Sequence, residues 1–401
     1  MNQVNASKLF TASCFALITT SMSFAIRAGI LAKLGIDFGL TNEELGYINS
    51  MAFLGFPIAT MIGGPIYNAI GPKKIMWMAF ICHLLGILLT IFAGGFWTLL
   101  ISTFFVGFAN GTVEAACNPM IADLYPTNKT TMLNKFHVWF PGGIVLGSLI
   151  SQAMTYMNMG WQLQIAVMLI PTVIYGYLIM GQEFPKSENI EGSTEKNFSA
   201  LLSPLYLIMA FCMTLTATTE LNTQQWVEKL LGQAGAQPML ILALVTGLMA
   251  VGRYFAGPVI HRLNPLGVLL GSAIFATIGI YMMSQAEGAM TYVAAVFFAI
   301  GVCYFWPTMI GFVAEYLPKT GALGMSLMGG AGMFAVSLWQ PITGRWLDSA
   351  KANAIASGLD ENAANLAAGQ STLSYITIFP LILILIFGAL YMNRAKIMQK
   401  A

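Results

Sequence analysis

Long apolar runs alternate with short polar breaks along the whole chain. A helix that crosses a bilayer needs about 20 mostly apolar residues. Runs of that size are predicted at roughly 10–33, 46–67, 73–95, 98–122, 136–157, 161–181, 203–227, 237–259, 266–285, 289–314, 323–345 and 372–393. The pattern predicts an all-α integral membrane protein with twelve transmembrane helices. A polar insert at 183–199 divides the helices into two sets of six. The expected organisation is a six-helix bundle over 1–182, a linker over 183–202 and a second six-helix bundle over 203–401.

Composition points the same way. Of 401 residues, 57% are hydrophobic and 8% are charged, where a soluble domain carries about 25% charged residues. Lipid is therefore the expected solvent for most of the surface. A net charge of +2 provides no basic field for nucleic acid. Cys14, Cys82, Cys117, Cys212 and Cys303 all lie in apolar runs, where a thiol acts as a small hydrophobe. Their spacing suggests no metal site and no disulfide framework, and no cofactor is expected. The first apolar run has no clear small-residue cleavage site, so it is read as a span and not as a signal peptide. With both termini inside, twelve Lys and Arg fall on the cytoplasmic side, four on the external side, and Arg27 and Arg253 within spans. That bias sets the expected orientation in a bacterial cytoplasmic membrane. A monomer is expected.

The two halves repeat. Gly64-Pro65-Ile66-Tyr67-Asn68-Ala69-Ile70-Gly71-Pro72 follows the second span, and Gly257-Pro258-Val259-Ile260-His261-Arg262-Leu263-Asn264-Pro265 follows the eighth, 193 residues later. At an offset of 192, Ala122-Asp123-Leu124-Tyr125-Pro126 and Ala314-Glu315-Tyr316-Leu317-Pro318 end spans four and ten. Parallel repeats of this kind mark transporters whose halves rock around a central site.

The Gly64–Lys74 segment resembles the loop after the second helix of the major facilitator superfamily, Gly-x-Leu-Ala-Asp-Arg-x-Gly-Arg-Lys. Gly64, Gly71 and Lys73 match, while Asn68 and Ala69 replace the aspartate and arginine. Four further segments resemble the fucose:proton symporter branch of sugar transporters. They are Glu114-Ala115-Ala116-Cys117-Asn118-Pro119, Asn134 with His137, Gly142 and Gly147, Thr219-Glu220 through Trp226, and Gly301 through Pro307. The resemblance implies two pseudo-symmetric bundles, a cavity lined by helices one, four, seven and ten, and a sugar as cargo. Proton-linked members of that branch carry a helix-one aspartate; residues 10–33 here hold none and carry Arg27.

Ionisable side chains in a bilayer core cost at least about 2.5–3.5 kcal/mol on insertion scales and persist where they face a cavity or a partner. Arg27, Glu114 and Glu220 fall on three of the four cavity helices, which makes them candidates for ion coupling and gating. Arg253 is expected to snorkel to the cytoplasmic interface. Asn110, Glu114 and Asn118 are spaced i, i+4, i+8 on one face, as hydroxyl recognition requires, although asparagine also joins helices in membranes. Glu220, Asn222, Gln224, Gln225 and Trp226 crowd one end of span seven. Trp226 suits either substrate stacking or an interfacial belt, and Trp306 either a stacking platform or core packing. His137 is a candidate for substrate or coupling, and His83, with no polar neighbour at helical spacing, is read as structural. Prolines 57, 119, 141, 307 and 341 permit bends, and Gly142-Gly143 and Gly329-Gly330 permit close helix contact.

The expected function is uptake of a small sugar or polyol, coupled to protons or sodium, with Glu114 as the main coupling group. Arg27 and Glu220 lie 193 residues apart and are expected to form a gate, unless Arg27 pairs with Glu114 or binds the carboxylate of an acidic sugar or organic anion. Export of hydrophobic compounds is a weaker alternative, because span five lacks the antiporter glycine signature. An enzyme would need a nucleophile–base pair or metal ligands; neither HExxH nor G-x-S-x-G occurs.

Overall fold

The computed structural model describes residues 4–127, 129–185 and 199–398. Among them the chain is helical, without strands. In chain order the main helices are α1 Ala6–Phe38, α2 Asn42–Gly63, α3 Ala69–Ile91, α4 Phe96–Leu124, α5 Lys135–Tyr156, α6 Trp161–Ile179, α7 Pro204–Gln225, α8 Pro238–Tyr254, α9 Arg262–Met283, α10 Ala289–Tyr316, α11 Gly321–Ala356 and α12 Glu361–Met392. Ten are long and apolar enough to cross a bilayer. The exceptions are α8, an apolar helix shorter than the rest, and α11, which is long at 36 residues but less apolar. Each of the twelve overlaps one of the spans predicted from the sequence; α11 extends to Ala356 where 345 was expected, and α12 begins at Glu361 where 372 was expected. Most of the expected linker lies outside the described residues.

The chain forms two compact units, Met1–Leu40 with Glu44–Glu191, and Thr41–Glu43 with Gly192–Ala401. In the first, α1 is the central helix: most of its middle is buried, from Leu9 and Ala12 to Leu31 and Leu34. It meets α5 closely, because Gly143 and Gly147 face Ser21 and Met22 and a Cβ at either position would crowd them. Small residues allow this approach between membrane helices.

Local geometry carries the internal repeat. Gly71, near the start of α3, has φ 79° and ψ 162°; Asn264, near the start of α9, has φ 53° and ψ 165°. They are 193 residues apart, and each precedes a proline, which disfavours helical backbone. A positive φ with extended ψ is almost confined to glycine. Asn264 adopts it while its Oδ1 accepts the Gly267 N–H at 3.1 Å, capping the rest of α9. The same offset relates Gly86 to Gly279. A Cβ on Gly86 would lie 2.8 Å from the Val106 nitrogen in α4, and one on Gly279 would strike the Phe298 nitrogen in α10. In the first unit, Tyr67 Oη also donates to Asp123 Oδ2 at 2.9 Å, tying the α2–α3 segment to the end of α4.

Candidate functional site

In the first unit Glu114, Asn118 and His137 come together. Asn118 Nδ2 donates to Glu114 Oε2 at 2.7 Å, and His137 Nε2 donates to Asn118 Oδ1 at 3.0 Å. The i, i+4 spacing on α4 makes the first bond; the second reaches across to the start of α5. Glu114 and Asn118 are half-buried and His137 is exposed. Two ionisable side chains are thus joined through one amide and open at one end to the surface. The Asn134 side chain lies outside the described residues.

Asn110 belongs to a different network. His83 Nε2 donates to Asn110 Oδ1 at 2.9 Å, the Tyr175 hydroxyl donates to His83 Nδ1 at 2.9 Å, and Asn110 Nδ2 donates to Ser23 Oγ at 3.0 Å. Ser23 in turn donates to the Thr20 carbonyl. An amide oxygen only accepts, so the His83 proton is assigned to Nε2. The chain joins α6, α3, α4 and α1, and His83 and Asn110 are fully buried. His83 does have polar neighbours, but on other helices, where spacing along its own helix cannot reveal them.

In the second unit Glu220 is carried on a π-helical segment, Thr218–Asn222, a widened turn often found at functional sites. Its Oε1 faces Arg253 Nη2 at 3.4 Å, and its buried Oε2 has no partner among the described residues. Arg253 Nε also donates to the Cys303 carbonyl at 2.9 Å. That carbonyl is free because the residue four positions on is Pro307, which has no N–H to offer. The snorkelling expected of Arg253 is therefore corrected: the proline break in α10 and the Glu220 carboxylate turn its guanidinium inward. Pro307 was the sequence signal that could have located it.

The rest of the α7 cluster is buried. Asn222 Nδ2 donates to Thr343 Oγ1 at 2.9 Å, and Gln224 Nε2 lies 3.6 Å from Met249 Sδ. Gln225 Nε2, Trp226 Nε1 and both amide atoms of Gln340 have no partner among the described residues. Trp226 is 0% exposed, so an interfacial belt position is ruled out by its packing. Trp306 is half-buried, with one ring edge 3.3 Å from where a Gly332 Cβ would stand.

Arg27, in α1, is 6% exposed. Its guanidinium carbon lies 5.5 Å from the centre of the Phe24 ring. Its Nε and Nη2 have no hydrogen-bond partner among the described residues. Sequence reasoning missed Asn49 in α2, which is fully buried with both amide atoms unpartnered among the described residues. It sits beside Ser50 near the start of a span, and only its burial sets it apart.

A D-xylose transporter of Levilactobacillus brevis is 26% identical over 148 residues, 37% of this chain and 32% of that protein. The chain thus spans about a third of the length of the first sugar-transporter relatives it matches. A gallate transporter of Pseudomonas putida is 24% identical over 369 residues, 80% of this chain and 81% of that protein. The fold is similar to that of a bacterial homolog of the human lysosomal transporter Spinster, with a TM-score of 0.78 at 14% identity over 100% of this chain and 99% of that one. The family profile described as Major Facilitator Superfamily matches residues 13–340. With that match over most of its length, and a repeated all-helical fold to go with it, the chain belongs to the Major Facilitator Superfamily.

Proposed function

We propose that the protein is a secondary active transporter that moves a small hydroxylated solute, in the first instance a sugar, across the cytoplasmic membrane by alternating access, with both termini cytoplasmic. The coupling ion is a proton, and Glu114 carries it. The observation behind this reading is the chain of bonds from Glu114 through Asn118 to His137. It joins a carboxylate half-buried in α4 to an imidazole at the surface, two groups able to take up and release protons. Within the first unit Asn118 offers an amide, and within the second unit Glu220, Asn222, Gln224, Gln225, Trp226 and Trp306 offer amides, a carboxylate and indole rings, the groups that recognise hydroxyl-bearing rings. The named cargoes of the two relatives, D-xylose and gallate, are small and carry several hydroxyl groups.

The test is uptake by proteoliposomes holding the purified protein, with an imposed pH gradient, an imposed sodium gradient, or neither. Labelled D-xylose and other monosaccharides serve as cargo. Accumulation driven by the pH gradient alone is expected. Accumulation driven only by sodium would reassign the ion, and equal uptake without any gradient would remove the coupling role from Glu114.

A further inference from the structure

We infer that Arg27 and Asn49 form an anion subsite in the first unit that binds the carboxylate of a hydroxylated organic acid, so that acidic solutes are taken in preference to neutral sugars. This deepens the transport reading and rests on it for the role of the bound solute.

Position comes first. The Phe24 and Phe53 rings meet with centroids 5.4 Å apart, which fixes α1 against α2 at that level. Arg27 is three residues beyond Phe24, and Asn49 is four residues before Phe53. Consecutive helices run in opposite directions, so both steps lead the same way along the bundle. They amount to about 4.5 Å and about 6 Å at 1.5 Å per residue. Steps of three and four residues also stay on one helix face. Arg27 and Asn49 are therefore at matching heights on the faces that bring the two phenylalanines together.

Their chemistry is incomplete. The described residues give Arg27 Nε and Nη2 and both Asn49 amide atoms no hydrogen-bond partner. A buried charge without a counterion costs several kcal/mol, and a buried polar group without a bond adds to that. Carboxylates elsewhere in the unit are committed or distant. Asp37 accepts from Lys33 and from Trp161 Nε1. Glu114 lies on the far side of the Ser23–Asn110 contact between α1 and α4. From that contact Arg27 is four residues along α1, and Glu114 four residues along the antiparallel α4 in the opposite direction. That separates them by about 12 Å along the axis, so the fixed Arg27–Glu114 pair is excluded. A guanidinium edge and an amide N–H at matching heights on facing helices can supply the two donors that a carboxylate's oxygens accept. The Phe24 ring beneath the guanidinium supplies an apolar wall. Thr20, seven residues from Arg27 on the same face, offers a buried and unpartnered hydroxyl to the remainder of the solute.

The test measures ligand affinity of the purified protein by calorimetry and thermal shift, with matched probes: gluconate against sorbitol, and gallate against methyl gallate. Each carboxylate is expected to bind at least roughly tenfold more tightly than its neutral counterpart, as a charge-assisted bidentate contact implies. Arg27→Gln should erase that preference and Arg27→Lys should keep part of it. Asn49→Asp places a resident carboxylate opposite Arg27. It should raise the melting temperature without ligand and abolish carboxylate binding, which decides the matter even if Arg27→Gln fails to fold. Equal affinity for acids and neutral partners, or carboxylate binding that survives Asn49→Asp, overturns the subsite. Uptake of a neutral sugar alongside such a failure would leave the transport reading standing. Carboxylate binding that depends on Arg27, with no gradient-driven uptake of any probe, would overturn the transport reading alone.

Discussion

His83 and Arg253 each serve two neighbours at once, and each should be costly to replace. In His83→Phe the Tyr175 hydroxyl and the Asn110 carbonyl oxygen both lose their partner in a fully buried place. An unsatisfied buried group costs about 1–3 kcal/mol, so a clear drop in thermal stability in detergent is expected. Asn110→Leu should cost a similar amount, and the double variant less than the two together, since they break one shared network. Strictly additive losses would mean the chain of bonds does not act as a unit. At the other residue, Arg253→Gln strands both the Glu220 carboxylate and the Cys303 carbonyl, whereas Glu220→Gln strands only one edge of Arg253. Breaking a buried ion pair costs roughly 3–5 kcal/mol, and the 26% exposure of the Arg253 side chain places the loss at the lower end. Arg253→Gln should therefore destabilise more than Glu220→Gln in chemical unfolding, and the reverse order would argue that the Cys303 contact contributes nothing.

The order of the helices and their breaks are where sequence and structure agree most closely, although α11 runs eleven residues past its expected end and α12 starts eleven residues before its expected start; the head of α9 offers a direct test. Asn264 holds a backbone conformation natural only for glycine, at a cost of about 1–3 kcal/mol, partly offset by its cap to Gly267. Asn264→Gly removes the strain and, at a capping position, loses only a few tenths of a kcal/mol, so it should match or exceed the parent in melting temperature. Asn264→Ala keeps the strain and loses the cap, and should melt lower. Equal melting of the two variants would show that the conformation is not strained. The spans, the proline breaks and the 193-residue repeat were legible because each is written in consecutive residues. The two spans that depart from the norm do so for visible reasons: α8 is short, and α11 is diluted by glycine and polar positions. Partnerships between helices were not legible. His83 with Tyr175, Asn110 with Ser23, Arg253 with Glu220 and the level shared by Arg27 and Asn49 join positions 22 to 92 residues apart. No local period encodes such a choice. Asn110, Glu114 and Asn118 stand at helical spacing on α4, yet burial divides them: Asn110 turns to His83, while Asn118 bonds both Glu114 and His137.

For the whole molecule, the proposed proton coupling requires that the empty and loaded carriers exchange sides only in certain protonation states. A ligand or proton shifts such an equilibrium only through its differential affinity for the two states. Glu114 is suited to that role because its bond to Asn118 survives a change of charge. The Asn118 N–H donates to a carboxylate oxygen at 2.7 Å, and it can donate equally to the amide oxygen of a glutamine. Glu114→Gln should thus keep the local geometry, and its thermal stability should fall within about 0.5 kcal/mol of the parent, as is usual for changes that break no buried partnership. What it removes is the ability to bind and release a proton. With the carrier fixed in a neutral state resembling the protonated one, loaded carriers can still exchange solute between two pools. The return of the empty carrier no longer depends on deprotonation, so a pH gradient can no longer drive net movement. In proteoliposomes Glu114→Gln should therefore show little or no accumulation under an imposed pH gradient, alongside substantial exchange between preloaded and external labelled solute. His137→Gln, further along the same chain of bonds, should slow gradient-driven uptake without abolishing it, since the Glu114 carboxyl group is untouched. If Glu114→Gln accumulates solute as the parent does, the proton is carried elsewhere. If it loses exchange as well as accumulation while remaining folded, Glu114 is primarily a contact for the solute.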